Sequence, residues 1–351
     1  MAKINAKETG NMLVRVYNNK MITEKDGEGI AVNKDGLALN ALVGRVFGDG
    51  IESRDPSLLH QFNNLVVQTA DTVAKDRIED IIGLMATYDR ESPENIRQYK
   101  INRKVKSKFF WSATASGVDL LNTNKGESIT AVPQNFKTGF SYNPNDLMKD
   151  SVEGFNKLVN DIADAKVRFY LTKIYAMVAT AAGSGKIPAR NVADAANVSL
   201  AQFTGVASSV KRMGQSKPIF IADELMIDKF AGLMGASGSG YDVFLDDETK
   251  KSFFNDLYYT KLGRVCDAVN IENPYTDATA TAVELDVDKG FFLSSGISEK
   301  PFVITEYGVM KQKTEDDFET DEIQLILSFS SAINLLYGEA IGYIEDDSVI
   351  L

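Results

Sequence analysis

The feature that most constrains the fold is one very long helical pattern in the middle of the chain. It begins at the start signal Asn143-Pro144-Asn145-Asp146, runs to about Ala182 and ends at Gly183-Ser184-Gly185. Its apolar face is made by Phe155, Leu158, Val159, Ile162, Phe169, Tyr170, Ile174 and Met177. At 1.5 Å per residue, this predicted helix is about 55 Å long. The usual helix has only about 12 residues, so any fold for this chain must accommodate an unusually long element.

The segment before this helix has the alternation of a β-hairpin. Its first strand alternates Val105, Ser107, Phe109 and Trp111 with Lys106, Lys108, Phe110 and Ser112. A turn signal follows at 122–126, and a second extended run covers 129–140. The pattern predicts a long two-stranded hairpin over residues 97–144. Because an isolated hairpin is marginally stable in water, we expect it to lie against another surface.

The first 58 residues are punctuated by glycines and contain only short apolar bursts such as Met12 to Val16. This pattern predicts an extended arm with little core of its own. The signal Asp55-Pro56-Ser57 then predicts a helix from about 58 to 88. Its apolar period breaks near 75–77, where we expect a bend.

The chain after the long helix is predicted to form an α/β layer over residues 198–300. Its predicted helices cover 200–213, the segment capped by Asp223, and 249–259, and its predicted strands cover 217–222, 263–271 and 290–294. A flexible glycine-rich loop, Gly235 to Gly240, separates them. From residue 301 onward the sequence is almost entirely strand-like, with an acidic turn at 314–321.

A basic run followed by aromatics is the most informative local feature. Arg97, Lys100, Arg103, Lys104, Lys106 and Lys108 fall within twelve residues that contain no acid, and Phe109, Phe110 and Trp111 follow directly. Such a pattern is typical of single-strand nucleic-acid binding, or of docking onto an acidic neighbour of the same kind. The formal charge of −11, from 49 acidic and 38 basic residues, gives no general attraction to phosphates and favours docking.

No motif predicts catalysis, a cofactor or a metal site. Gly183-Ser184-Gly185-Lys186 lacks the spacing of a phosphate loop and is interpreted as a helix end. His60 is the single histidine, predicted to be a packing or surface residue, and Cys266 is the single cysteine, which excludes an intrachain disulfide and is predicted to be buried. The acidic groups at 246–248, 315–317 and 345–347 are predicted to be solvated loops rather than cation sites.

The order of elements resembles the major capsid proteins of tailed bacteriophages, whose HK97-like fold is shared with encapsulins. The local likeness lies in the closing strands, from Lys300-Pro301-Phe302 through Glu315-Asp316-Asp317 to Tyr337-Gly338-Glu339, and in the strand and helix over 217–233. The resemblance implies an α+β fold with an extended hairpin called the E-loop and a long spine helix. It divides the chain into an N-terminal arm (1–58), a helix leading into the peripheral domain (59–96), the E-loop (97–144), the peripheral domain with the spine helix (145–197), an axial α/β domain (198–300) and return strands of the peripheral domain (301–351).

The resemblance also implies a function, that of a major head subunit and not an enzyme. Such a subunit self-assembles into hexamers and pentamers of an icosahedral or prolate shell around double-stranded DNA. Its expected partners are other copies of itself, separate scaffolding and portal proteins and a decoration protein, with no membrane, and it is assembled in the host cytoplasm into the virion. The expected interface residues are Arg103, Lys104, Lys106, Lys108, Phe109, Phe110 and Trp111, and the expected axial loop contains Gly235, Gly238 and Gly240. Two alternatives remain open at this point: an encapsulin-type nanocompartment shell that loads cargo enzymes, and another phage structural part such as a tail or decoration protein.

Overall fold

A computed structural model describes residues 6–25, 31–48, 55–101, 127–235, 262, 265–296, 299–317 and 322–351. Within these residues, helices and strands are mixed in the α+β manner that was predicted. The helices are α1 (Ala6–Tyr17), α2 (Lys34–Phe47), α3 (Pro56–Ile81), α4 (Pro144–Lys149), α5 (Ser151–Gly183), α6 (Leu200–Gly214) and α7 (Glu224–Gly235). The strands are β1 (Thr23–Lys25), β2 (Ala31–Asn33), β3 (Ala86–Glu91), β4 (Gln98–Ile101), β5 (Glu127–Thr130), β6 (Gln134–Tyr142), β7 (Val192–Ala195), β8 (Ile219–Ala222), β9 (Asp267–Asn270), β10 (Lys289–Leu293), β11 (Phe302–Asp317), β12 (Glu322–Leu335) and β13 (Ile341–Asp346).

Two larger sheets organise most of these strands. The first has the order β3-β11-β12-β6, in which β3 runs parallel to β11 and the other pairs are antiparallel. The second has the order β7-β13-β10-β8-β9, with a parallel pair at each edge and antiparallel pairs between them. β4 pairs with β5, and β1 with β2, in separate antiparallel ladders. In the two larger sheets, β11 and β12 are consecutive in the chain, whereas most other adjacent strands come from distant parts of the sequence.

Three helix boundaries lie where the sequence signals indicate: the start of α3, the start of α7 and the end of α5. Asp55 caps α3 by accepting a hydrogen bond from the Ser57 amide, and Pro56 occupies the first helical turn. The Asp223 carboxylate likewise accepts from the Leu225 amide at the start of α7. α5 ends at Gly183, and Gly185 has a left-handed φ of 73°. The interpretation of the glycine pair there as a helix end is therefore confirmed.

The long helix is present as α5, and it joins two hydrophobic cores. Its first half packs with the N-terminal helices, α3 and the distal parts of β11 and β12. Its second half packs on the other core, which includes one face of the five-stranded sheet. The predicted start at Asn143 is displaced, because Asp150 has extended backbone angles, separates the short α4 from α5, and caps α5 through the amides of Val152 and Glu153. α5 has 33 residues, so it is about 50 Å long.

The prediction of an extended N-terminal arm without a core is wrong for the described part of residues 1–58. This region forms α1 and α2, which pack on α3 and α5. The buried residues include Leu13, Val16, Leu39 and Phe47. Short apolar segments separated by glycines predict little structure on their own. Their residues have helical spacing, however, and form an apolar face on each of two helices, which is buried only by packing on α3 and α5.

Two other boundaries differ from their predictions. The helix predicted over 58–88 ends at Ile81, because residues 86–91 form β3 and pair in parallel with β11. The second extended run of the predicted hairpin, over 129–140, is two strands. Only β5 pairs with β4, whereas β6 pairs with β12 in the four-stranded sheet. Both errors have the same cause: partners distant in the sequence override local periodicity.

The five-stranded sheet also crosses two of the predicted domain boundaries. β7, assigned to residues 145–197 of the peripheral domain, lies at its edge, and β13, assigned to the return strands, lies inside it. β13 pairs with β10 over Ile341 to Glu345. The strands predicted at 217–222 and 290–294 are present as β8 and β10. The last strand therefore closes the axial sheet, while β11 and β12 alone return to the peripheral one.

Candidate assembly surfaces

The base of the predicted E-loop hairpin is fixed to the body of the subunit. β4 and β5 form a regular ladder from Gln98 to Ile101. Ile101 is buried against Tyr337 in a small apolar cluster. Ala131, just after β5, packs against Tyr307 of β11, and the Tyr307 hydroxyl donates a hydrogen bond of 2.7 Å to the Ala131 carbonyl. The described residues on both sides of 102–126 are therefore fixed to the body by packing.

Polar contacts strengthen this base. Arg97 forms ion pairs with Glu91 and, at 3.6 Å, with Asp89, both on β3. The Tyr99 hydroxyl donates to the Asp89 carboxylate at 3.0 Å and lies 2.7 Å from the Thr305 hydroxyl. Burial raises the pKa of Tyr99 to about 12, so the phenol remains a neutral donor. The ladder is thus bound to β3 and β11 by side chains as well as by packing.

The residues predicted to make the subunit interface lie between the two ends of this base. Arg103, Lys104, Lys106, Lys108, Phe109, Phe110 and Trp111 fall in 102–126, outside the described residues. Of the predicted axial glycines, Gly235 is the last residue of α7, and Gly238 and Gly240 also lie outside the described residues. Their roles stay predictions.

A buried charge cluster joins α3, α5, β3 and β11. Lys166 Nζ lies 2.6 Å from Asp71 Oδ1 and 2.6 Å from Glu306 Oε1. Arg90 Nη2 lies 2.7 Å from Asp71 Oδ2 and 3.0 Å from Glu306 Oε2. The Tyr170 hydroxyl donates to Glu306 at 2.6 Å. Two cations thus face two carboxylates, and each carboxylate has two cationic partners.

The environment of this charge cluster shifts the pKa values of Glu306 and Tyr170. Burial by itself would raise the pKa of Glu306, but the attraction of Lys166 and the hydrogen bonds from Lys166, Tyr170 and Tyr88 together outweigh burial, and the pKa is lowered. Burial and then the charge of Glu306 raise the pKa of Tyr170 well above its ordinary value, so its hydroxyl stays a donor. Because these groups satisfy one another, the arrangement holds four elements together and is not built to receive a substrate.

The charge cluster is not predicted from the sequence, although the sequence contains part of the signal for it. Lys166 falls in the apolar face of the long helix, four residues after Ile162 and four before Tyr170. Glu306 follows the apolar run Phe302 to Ile304 in a strand. Charged residues are almost never buried unless they are paired, so each position predicts a partner. The identity of that partner is a property of the tertiary structure.

The single cysteine and the single histidine have the structural roles that were predicted. Cys266 is fully buried, and burial raises the pKa of its thiol. His60 lies on the surface at the start of α3, with Gln312 Nε2 at 3.0 Å from its Nδ1. Across the described ranges, no group of three acidic, histidine or cysteine side chains could hold a metal ion. In the same ranges, none of the helices combines the length and apolar character needed to cross a bilayer.

Comparison with known proteins gives the family. The model of the family described as "SPbeta prophage-derived putative capsid protein YonB" matches residues 9–345. The chain is 45% identical over 348 residues to the SPbeta prophage-derived uncharacterized protein YonB of Bacillus subtilis (strain 168), with 99% of each chain covered. The chain belongs to the YonB capsid protein family.

The fold agrees with this assignment. The structure described as "Satellite phage P4 procapsid including size determination (Sid) protein" matches with a TM-score of 0.51 and 11% identity, covering 80% of this chain and 90% of that one. At this identity the likeness shows the fold alone, which is the capsid fold that the sequence resemblance implied. The family identifies the chain as a structural capsid subunit of a phage and not an enzyme. Assembly surfaces, rather than an active site, are therefore the functional features to explain.

Proposed function

We propose that this capsid subunit is the major head protein of its phage. It self-assembles into hexamers and pentamers of an icosahedral or prolate shell that encloses double-stranded DNA. The observation that carries the proposal is the anchored E-loop base: β4 and β5 hold both ends of residues 102–126 against β3, β11 and the Tyr337 region. Because the base is fixed to the body, a contact made by the loop would hold the whole subunit in place.

The composition of residues 102–126 indicates what the loop binds. Four of its basic residues and all three of its aromatics are concentrated within 103–111: Arg103, Lys104, Lys106, Lys108, Phe109, Phe110 and Trp111. A segment of 25 residues folded back on itself reaches at most about 40 Å, which is enough to cross onto a neighbour. Since the chain carries a net charge of −11, another copy offers the acidic surface that the lysines and arginine require. The aromatics then serve as the anchors that dominate interface energies.

The loop after α7 is assigned to the symmetry centre of each hexamer and pentamer. Gly235 ends α7, and Gly238 and Gly240 follow within the same short segment. Five or six copies meet at such a centre with different angles between them. Glycines tolerate both geometries because they adopt backbone conformations that other residues avoid.

The acidic composition fits a wall that contains DNA without adhering to it. With 49 acidic and 38 basic residues, the average surface repels phosphates. We therefore assign the subunit no sequence-specific DNA contact. Separate scaffolding and portal proteins, and a decoration protein, are the further partners that the proposal includes. The virion is its final location, after assembly in the host cytoplasm.

Charge reversal in the loop tests the proposal. The purified wild-type chain should form particles visible by negative-stain microscopy. The variant K104E/K106E/K108E should keep the wild-type circular dichroism spectrum and melting temperature but form no particles. A matched control, K149E/K157E/K211E, changes the net charge equally at three exposed lysines on helices outside the loop and should still assemble.

Each outcome has one meaning. Wild-type subunits that form no particles, alone or during induction of the prophage, refute the assignment as a major head protein. Normal particles from the loop variant refute the role of the loop. Particles that contain protein cargo and lack DNA would make the chain a nanocompartment shell instead.

A further inference from the structure

We propose that two oppositely charged helix faces, on α6 and α7, join successive copies of this chain head to tail within one ring. This inference rests on the proposed self-assembly and deepens it, because it names the surfaces that meet. The basic face consists of Arg190, Gly205, Ser208, Arg212 and Met213. The acidic face consists of Glu224, Leu225, Asp228, Gly232 and Glu272.

The basic face surrounds a shallow depression of about 490 Å³ on the outer side of α6. Arg190 and Arg212 are exposed there, and neither forms an ion pair within the part of the chain that the structure describes. One acid, Glu339, also lines the depression, so its formal charge is positive. Met213 adds an apolar rim with 44% of its surface exposed. The face is therefore suited to an acidic, partly apolar partner.

The acidic face lies on the outer side of α7. Glu224 and Asp228 are exposed, four residues apart on one side of the helix, and they also have no ion pair among the described residues. Leu225 is 40% exposed beside them. Glu224 and Glu272 line the same surface depression at the end of β9, together with Asp223 and Arg168, so its formal charge is negative. Charge and apolar content thus complement those of the basic face.

The glycines provide an independent argument. Gly205 and Gly232 lie inside their helices, where glycine is less stable than alanine by about 1 kcal/mol. A Cβ atom built at either position would meet nothing within 4 Å. The packing of the isolated subunit therefore requires neither glycine. The absence of a side chain at both positions would be explained by the close approach of a helix from another copy.

The position of the two faces favours a second copy as the occupant. α6 lies over β7, β13 and β10, whereas α7 lies over β9. The sheet order places β7 and β9 at opposite edges. The basic face of one copy can therefore meet the acidic face of the next while its own acidic face stays free. Repetition of such a head-to-tail contact closes rings.

The experiment uses two charge-reversal variants of the full chain. R190E/R212E makes both faces acidic, and E224K/D228K makes both faces basic. Like charges brought together across an interface are strongly unfavourable, so each variant should lose at least about tenfold in particle yield by mass photometry and negative-stain microscopy. K211E is the control, since Lys211 is exposed and adjacent to Arg212 but points about 100° away around α6. It should assemble like the wild type.

Combining the variants gives the decisive measurement. All four substitutions in one chain exchange the two charges and should restore closed particles. In an equal mixture of the two separate variants, each acidic-faced chain can bind only basic-faced chains. The two variants must therefore alternate around a ring, which allows a ring of six to close but not a ring of five. We expect the mixture to form hexamers, tubes or sheets, because closed shells also need pentamers.

The failures of this inference and of the proposed function are distinguishable. If wild-type and K211E chains form particles and both reversal variants do so as well, the head-to-tail contact is wrong and the head-protein assignment stands. A second result has the same meaning: the two reversal variants remain folded by circular dichroism and fail to assemble, and assembly is restored neither by the chain that carries all four substitutions nor by the mixture. If the wild type forms no particles, the proposed function itself fails.

Discussion

Removing the charge of Lys166 should destabilise the subunit far more than removing a surface charge. Lys166 lies 2.6 Å from both Asp71 and Glu306, and its side chain is 2% exposed. In Lys166→Met the side chain keeps its length, but the carboxylates of Asp71 and Glu306 lose one of their two cationic partners. The cation that remains is Arg90, whose side chain is 37% exposed. Breaking a buried ion pair by removing one partner costs about 3–5 kcal/mol. For 351 residues that is a fall in Tm of about 4–7 °C, at roughly 2 cal/mol/K of unfolding entropy per residue.

The assay is thermal and guanidinium unfolding of subunits separated from particles by size exclusion. Lys75→Met is the matched control: Lys75 forms an exposed pair with Glu79 at 3.6 Å, and its loss should cost only about 0.3–0.5 kcal/mol. The double variant Lys166→Met/Glu306→Gln removes one charge of each sign and should recover a large part of the loss. If Lys166→Met costs no more than Lys75→Met, the argument that the charge cluster fixes the spine helix is refuted.

Three further predictions concern the folded subunit. The pKa of Glu306 is lower in the folded chain than its ordinary value of 4.5. The ionised carboxylate therefore contributes its full stabilisation of the fold above about pH 4.5, and this contribution is lost as the pH falls below that value. The difference in unfolding free energy between the wild type and Glu306→Gln should therefore narrow below about pH 4.5, and a constant difference would contradict the shift. Leu13→Ala should cost about 2–5 kcal/mol because Leu13 is fully buried; a negligible loss in chemical denaturation would mean that α1 is not part of the core. Gly308→Ala should cost about 1–2 kcal/mol, since φ is 81° there and a Cβ would meet Pro93 Cγ at 3.0 Å; unchanged stability would contradict the left-handed backbone.

Sequence patterns predicted the elements that carry their own local signals. The spine helix has a repeating apolar face and a glycine end signal, and β8 is a short apolar run before the capping residue Asp223. These signals are local, so tertiary contacts do not change their meaning. The order of such elements was enough for the resemblance to the capsid fold.

The errors fall where long-range partners decide the structure. The sequence of β3 continues the pattern of the preceding helix, and only its pairing with β11 makes it a strand. The sequence of α1 has the pattern of an extended arm, and only tertiary packing buries Leu13 in the core. β13 belongs to the axial sheet only because β10, some fifty residues earlier in the chain, pairs with it. The charge cluster is the extreme case, because its four charged residues come from four separate elements. A single sequence contains the charges but not their pairing.

The alternation of two adjacent strands connects the E-loop base to the charge cluster. The parallel register pairs Asp89 with Thr305, Arg90 with Glu306 and Glu91 with Tyr307. The first and third pairs contact the base of the loop, through Arg97, Tyr99 and Ala131. The middle pair points to the opposite face, where Arg90 binds Glu306 and Glu306 binds Lys166 on the spine helix. β3 and β11 therefore connect the base of the predicted loop to the spine helix through Glu306 and Lys166. The proposed docking of the loop onto a neighbouring subunit requires that kind of fixed support.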